Sequence, residues 1–395
     1  MANRFLCISR RTRSTVFSER VEATNVQSYT VYNHMLLPTE FESFEADYWH
    51  LCEHVQVWDV AAEVQVVITG PDATRLVQLM TPRDISRAVI GQGLYAPLCD
   101  EDGGIINDPV AIKHSDECWW LSIADSDVKL WAKGLAMGYG LDVKVTEPSI
   151  SPLAVQGPKA EELVARVFGE SVRDIRFFHG KILNFKGTDM YVARSGWSKQ
   201  GGFEIYLNNP DLALPLWDEL FEKGEDLNVR AGCPNAIERL ESSLLSYGND
   251  IDSSNNPFEC GLDQFINLDA DIESLSLPAL RKLAGNVKQK LVGLMFDQPM
   301  IFTDRKVRHN DQIVGEVTAH IWSPLFEKHL AFAMIQCDYL NNQSTVEIGG
   351  WEGAITYLPF INNQPIVKVD DETGNIKEIP FDTEMPETLE VMAEE

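Results

Sequence analysis

Short apolar runs punctuated by Gly, Pro and Asp dominate the chain, and two of them share one pattern. Val67-Ile68-Thr69-Gly70-Pro71-Asp72-Ala73-Thr74-Arg75-Leu76-Val77 reads as a strand, a tight Gly-Pro turn and an amphipathic helix. Proline is tolerated in the first helical turn because that N–H has no intrahelical partner. The pattern returns 87 residues later as Ala154-Val155-Gln156-Gly157-Pro158-Lys159-Ala160-Glu161-Glu162-Leu163-Val164. Each copy is soon followed by Arg-Asp-Ile, at Arg83-Asp84-Ile85 and Arg173-Asp174-Ile175. One such element can recur by chance. Agreement of both parts favours a duplication, and predicts two related α+β modules.

Hairpin signals follow. Leu94–Leu98 and Ile105–Lys113 flank the loop Asp100-Glu101-Asp102-Gly103-Gly104, and Ile182–Phe185 and Met190–Arg194 flank Lys186-Gly187-Thr188-Asp189. After a Lys-rich helix around Pro278–Leu283 the pattern changes. From about Val292 to Val369 short apolar runs without helical period alternate with turns, predicting an all-β sandwich or barrel. Residues 1–20 carry five Arg and one Glu and are expected to form a basic surface arm. Residues 370–395 hold ten acidic residues and one Lys and are expected to be a disordered tail.

Composition narrows the functional classes. The 395 residues are 44% apolar and 24% charged, as in an ordinary globular protein of two or three domains. Lys and Arg total 33 against 60 Asp and Glu, a net charge of −27. A nucleic-acid partner needs a basic footprint, and anionic membranes repel an acidic chain. No apolar stretch approaches membrane-spanning length, and the N-terminus lacks an apolar run of signal-peptide size. Seven singly scattered cysteines read as reduced thiols, which places the protein in the cytoplasm.

Two motif matches fare poorly. His50-Leu-Cys-Glu53-His54 fits H-x-x-E-H, yet zinc needs a third ligand that one sequence cannot place, and a surface pair one helical turn apart is the commoner meaning. Gly91-Gln-Gly93-Leu-Tyr-Ala96 fits GxGxxA, but Pro97 and a strand follow where a dinucleotide site requires a helix. No metal is expected. Two settings remain. Asp108, in Asn107-Asp108-Pro109, interrupts an apolar strand, either as a turn residue or as a placed functional group. Glu204 alternates with apolar neighbours beyond a glycine-rich loop, so it needs partners, whether a structural cation or a ligand.

Four segments resemble, in order, the glycine-cleavage T-protein (aminomethyltransferase) family. They are Asp102-Gly-Gly-Ile-Ile-Asn-Asp108, Arg194-Ser-Gly-Trp-Ser-Lys-Gln-Gly-Gly-Phe-Glu204-Ile-Tyr206, Arg239-Leu-Glu-Ser-Ser-Leu-Leu-Ser-Tyr247-Gly-Asn-Asp-Ile251 and Gly315-Glu-Val-Thr-Ala-His-Ile-Trp-Ser-Pro324. Departures from the aminomethyltransferases at Arg194–Gln200 and Tyr32–Pro38, together with the segments Ser9–Arg13 and Trp119–Asp125, look like the dimethylsulfoniopropionate demethylase branch. The resemblance implies a three-module α+β cloverleaf around a folate, often a homodimer. Its expected parts are a basic arm (1–28), a folate- and donor-binding α+β region of two interleaved modules (29–285), a C-terminal β-barrel (286–369) and the acidic tail (370–395). It implies methyl transfer from a small-molecule sulfonium to tetrahydrofolate. By the same resemblance Asp108 stands beside the reactive folate nitrogens as the catalytic residue, and Glu204 grips the pterin. Tyr95, Ser122 and Arg239 fall at folate-site positions, while Trp197 and Tyr206 line the methyl-donor pocket. Lys199 is a candidate for the donor's carboxylate, against the ordinary meaning of a solvated lysine.

The chemistry asks for these residue types. A sulfonium leaves as a neutral thioether, so neither acid nor metal is needed, and alignment of nitrogen and methyl carbon can supply much of the rate. Cationic sulfur is attracted to aromatic faces by about 0.5–2 kcal/mol per contact. One carboxylate can accept both pterin N–H groups, and an anion near the nitrogen stabilises its developing charge. Two alternatives stay open: an N-methyl or aminomethyl donor, and a non-catalytic folate-binding protein.

Overall fold

The computed structural model describes residue 9, residues 11–301, 304–340, 345–356 and 358–360, and the backbone of two paired strands, Ile366–Val369 and Ile376–Ile379. The chain divides into two compact units. The first comprises residues 1–76, 88–94 and 109–235; the second comprises residues 77–87, 95–108 and 236–395.

The first unit begins with α1 (Ser18–Glu22), the hairpin β1 (Ser28–Tyr32) and β2 (Met35–Glu40), helix α2 (Phe44–Glu53) and β3 (Val55–Asp59). Next in the chain come β4 (Gln65–Thr69), α3 (Ala73–Met80), β5 (Gly93–Tyr95), β6 (Leu98–Cys99) and β7 (Ile105–Asn107), the last two belonging to the second unit, and then β8 (Val110–Ser115), β9 (Cys118–Ser122), α4 (Val128–Tyr139) and β10 (Lys144–Thr146). They are followed by β11 (Ser151–Gln156), α5 (Ala160–Phe168), β12 (Gly180–Phe185), β13 (Thr188–Ala193), β14 (Gly202–Leu207), α6 (Ala213–Lys223) and β15 (Val229–Gly232).

The duplication shows in the topology. One sheet runs β10-β4-β9-β8-β5 and the other β12-β13-β14-β11-β3-β15. Strand orders β4-β9-β8-β5 and β11-β14-β13-β12 match element for element, each with a helix after its first and its last strand in the chain. Both repeated turns need glycine, because a Cβ on Gly70 or Gly157 would strike a backbone carbonyl, that of Asp142 or of His54. Both Arg-Asp-Ile segments bury their isoleucine, Ile85 and Ile175. Helix α5 turns Ala160, Leu163 and Val164 inward, the spacing of one helical stripe, onto strand residues Val55, Val57, Leu153 and Val155.

Two expectations change here. The N-terminal arm does not lie wholly on the surface: Phe17 and Val21 are 0% and 1% exposed in the same core, and Arg20 pairs with Asp218 at 2.7 Å. The hairpin around Asp102 is split. Its outer strands β5 and β8 belong to the five-stranded sheet, while β6 and β7 form their own short pair, with Pro97 and Pro109 at the breaks. The second hairpin is tight, with Lys186 and Gly187 both at positive φ between β12 and β13.

The second unit carries α7 (Ala236–Glu241), α8 (Leu277–Leu283) and a closed barrel. The barrel strands are β16 (Gln289–Phe296), β17 (Lys306–His309), β18 (Gln312–Ser323), β19 (Lys328–Gln336), β20 (Thr345–Ile348) and β21 (Trp351–Thr356), joined in the order β16-β19-β18-β17-β20-β21. The α+β class and the barrel are as expected. Apart from the strand at Ile376–Ile379, the acidic tail lies outside the described residues.

Candidate active site

Glu204 occupies the middle of β14, with Ala154 opposite it on β11 and Ala193 opposite it on β13. Residues paired across strands share a face, so two methyl-sized neighbours leave room over the carboxylate. Two residues further on, the same face presents Tyr206 beside Tyr191, their rings 5.5 Å apart. Ser195 Oγ donates to Glu204 Oε2 at 2.5 Å and Tyr206 donates its hydroxyl to the same oxygen at 3.2 Å. Among the described residues no cation pairs with Glu204. Burial pushes its carboxyl above the ordinary range, and the two hydroxyl bonds pull against that. A cavity opens alongside, lined by Tyr206, Tyr191, Ser195, Ala193, Ile112 and Phe178.

The other expected residues of this unit lie at different removes. Ser122, at the end of β9, accepts from Gln65 Nε2 at 2.9 Å and stands against the Tyr206 phenol. Tyr206 is 1% exposed, a buried ring beside Glu204 rather than an open wall. Trp197 is half-buried and Lys199 exposed in the loop between β13 and β14.

Asp108 sits in the second unit at the break between β7 and β8. Tyr95 donates its hydroxyl to Asp108 Oδ2 at 3.0 Å. Burial pushes the carboxyl up to about 7; the Tyr95 bond opposes this and the Asp250 charge adds to it. The Tyr95 ring packs on Phe265 at 4.7 Å, and Arg83 donates to the Tyr95 carbonyl at 2.9 Å with its guanidinium over the Phe265 ring. Arg239 is held by Asp250 at 2.6 Å, and Thr318 bonds the other Asp250 oxygen at 3.0 Å. The Tyr247 hydroxyl donates to the Ile105 carbonyl at 3.1 Å, fixing the strand that leads to Asp108.

Sequence reasoning missed Ser195, Arg83 and Phe265. Ser195 lies inside the quoted motif, and its place directly after a strand ending was the available signal. Nothing local marks Phe265. The H-x-x-E-H pair has other work: His50 Nε2 donates to the Asn228 carbonyl at 2.9 Å, burial holds its ring down to about 4, and His54 Nδ1 accepts from Lys159 at 2.9 Å. Among the described residues no group of three or more His, Cys, Asp or Glu is placed to hold a metal ion.

Residues 17–270 match the GCVT N-terminal domain, and residues 289–356 match the glycine cleavage T-protein C-terminal barrel domain. The chain belongs to the glycine cleavage T-protein family. Within that family it is 52% identical over 328 residues to dimethylsulfoniopropionate demethylase DmdA of Ruegeria pomeroyi, covering 83% of this chain and 90% of the relative. An aminomethyltransferase of Clostridium botulinum (strain Okra / Type B1) is 30% identical over 315 residues, 77% of this chain and 84% of the relative. The crystal structure of glycine cleavage system aminomethyltransferase T from Bartonella henselae has the same fold, with a TM-score of 0.79 at 21% identity, covering 90% of this chain and 99% of that one.

Family members of this kind are folate-dependent transferases, and the residues fit that group. A buried carboxylate with no cation, held by two hydroxyls and flanked by alanines, suits a planar edge carrying adjacent N–H donors. Asp108, with its proton affinity raised to near neutrality, suits a nitrogen that sheds a proton.

Proposed function

We propose that the protein demethylates dimethylsulfoniopropionate, giving 3-(methylthio)propionate and 5-methyltetrahydrofolate. Glu204 is the structural observation that carries the folate half of this reading: burying a carboxylate without a cation is costly, and a ligand that donates two N–H groups offsets the cost. The sulfonium half is supported by 52% identity to a protein bearing that name, against 30% for an aminomethyltransferase.

Tetrahydrofolate, when bound, supplies a nucleophilic ring nitrogen and a pterin edge with an amino group and a neighbouring N–H. Glu204 accepts from that edge and fixes the ring, with Ser195 and Tyr206 holding the carboxylate in place. Asp108 stabilises the positive charge that grows on the attacking nitrogen as it takes the methyl group, and then accepts that nitrogen's proton. Tyr95 holds Asp108, and Ser122 braces Tyr206. Arg239, already neutralised by Asp250, contributes planar N–H groups rather than net charge. The Trp197 ring faces the donor's cationic sulfur, with Tyr206 beneath, and Lys199 receives its carboxylate. The leaving thioether is neutral, so no side chain need protonate it.

The compartment is the cytosol, in keeping with the unpaired buried thiols Cys99, Cys233 and Cys260, and among the described residues no helix is long and apolar enough to cross a membrane. Assembly as a homodimer is carried over from the family resemblance and is read by sedimentation. The test of function is a turnover assay with tetrahydrofolate and, side by side, dimethylsulfoniopropionate, glycine betaine and an aminomethyl donor. Methyltetrahydrofolate should form with the sulfonium, while betaine competes without reacting. Faster turnover of either nitrogen donor would overturn the assignment.

A further inference from the structure

The two repeats differ most in one loop. Between β8 and β9 the turn has two residues, Asp116 and Glu117, whereas the matching connection from β13 to β14 has eight, residues 194–201. Gln156, the last residue of β11, is fully buried, and both arms of its amide are spent on that loop. Its Nε2 donates to the Ser195 carbonyl at 3.1 Å, and its Oε1 accepts from Ser198 Oγ at 2.7 Å. Gly196 and Gly202 lie flat against the same amide, so that a Cβ on either would collide with Gln156 Nε2. The corresponding residue of the first repeat is Thr69, whose hydroxyl reaches only the Lys144 carbonyl, at 3.4 Å. The long loop and the amide that grips it therefore occur together, in one repeat only.

Between the two gripped points stand Gly196 and Trp197. An eight-residue loop tied only at its ends samples many conformations, and fixing it before a ligand arrives lowers the cost of binding. We propose that Gln156 is the positioning residue of methyl-donor recognition, its amide holding the Ser195–Ser198 arch so that the Trp197 ring is presented to the donor. This rests on the donor reading above and adds to it a residue that touches neither folate nor donor. The same grip reaches Ser195, whose hydroxyl bonds Glu204, but through the Ser195 backbone, so loosening the Ser198 end disturbs the donor side first.

Ser198→Ala removes one arm and leaves the core untouched, Ser198→Thr restores the hydroxyl, and Gln156→Met keeps the volume while removing both arms. Ser198→Ala and Gln156→Met should raise the KM for dimethylsulfoniopropionate about tenfold, as expected for losing a buried hydrogen bond. In Ser198→Ala the dissociation constant for tetrahydrofolate should stay within about twofold, and Ser198→Thr should keep the parent's donor KM. Amide hydrogen exchange across residues 194–201 should be faster in Ser198→Ala. An unchanged donor KM in both disrupting variants, or a loss shared equally by donor and folate, overturns the proposal. Should the parent protein turn over no sulfonium, the donor reading falls, and the grip itself is still judged by whether loop exchange accelerates.

Discussion

The ionisation of Asp108 offers the sharpest test of the chemistry. Burial places its carboxyl at about 7, and only the ionised form can stabilise the charged nitrogen and accept its proton. The value of kcat/KM reports groups of the free enzyme, so it should fall with unit slope below pH 7, to about one tenth of its plateau at pH 6. Asp108→Asn keeps the turn, lowers the plateau by roughly 10²-fold and removes this limb. Tyr95→Phe deletes the bond that favours the charged form, so the limb should move to higher pH. Stability should run the other way. The folded protein binds this proton more tightly than the unfolded chain, whose carboxyl titrates near 4. Stability is therefore lost as pH rises from about 4 to 7, and Asp108→Asn should be the more stable protein at pH 8, with the gain vanishing toward pH 4. Initial rates of methyltetrahydrofolate formation from pH 5.5 to 8.5, with thermal melts at each pH, measure both. An acid limb that survives unchanged in Asp108→Asn refutes the reasoning and assigns it to another group, with Glu204 the first suspect.

Three further outcomes are expected. Glu204→Gln should weaken tetrahydrofolate by roughly 1.5–3 kcal/mol in titration calorimetry, the loss of charge-assisted bonds, and unchanged affinity in a folded variant would remove the pterin role. Trp197→Ala should weaken the sulfonium by about 1–2 kcal/mol while sparing folate, which competition binding resolves. Phe17→Ala should cost about 3–5 kcal/mol in denaturant unfolding, since the ring is 0% exposed; a cost under about 1 kcal/mol would return the arm to the surface.

How far the chain could be read in advance follows from where the information is local. The repeated strand-turn-helix was legible because Gly70-Pro71 and Gly157-Pro158 punctuate it and each helix buries one stripe. The barrel was legible because its apolar runs are short and lack helical period. Phe17 was not, because five nearby arginines mask two core residues and the helix that receives them begins almost two hundred residues later. The split hairpin was missed for a related reason. Pro97 and Pro109 announce interruptions, but only the sheets decide which strands then pair. At the site, Asp108 and Glu204 stood out as carboxylates in apolar strands, and their segments carried the family resemblance. The hydroxyls that meet Glu204 were in the same segment, Tyr206 two residues on along the strand and Ser195 in the loop before it, but only the folded loop shows that Ser195 turns back onto the carboxylate.

The second unit takes in residues 77–87 and 95–108 and then nothing until residue 236, and this has a consequence for the order in which the protein is made. Asp108 emerges from the ribosome early, but Asp250 and Phe265, which shape its surroundings through charge and through Tyr95, follow more than a hundred residues later. Cys99 and Ile105 likewise wait for Leu240, Ile251 and Phe332, the partners of their apolar cluster. A nascent chain ending near residue 235 thus holds a complete first unit and a stranded apolar segment, which exposes it to chaperones or to aggregation. Cutting the gene there would part Cys99 and Ile105 from every later member of their apolar cluster.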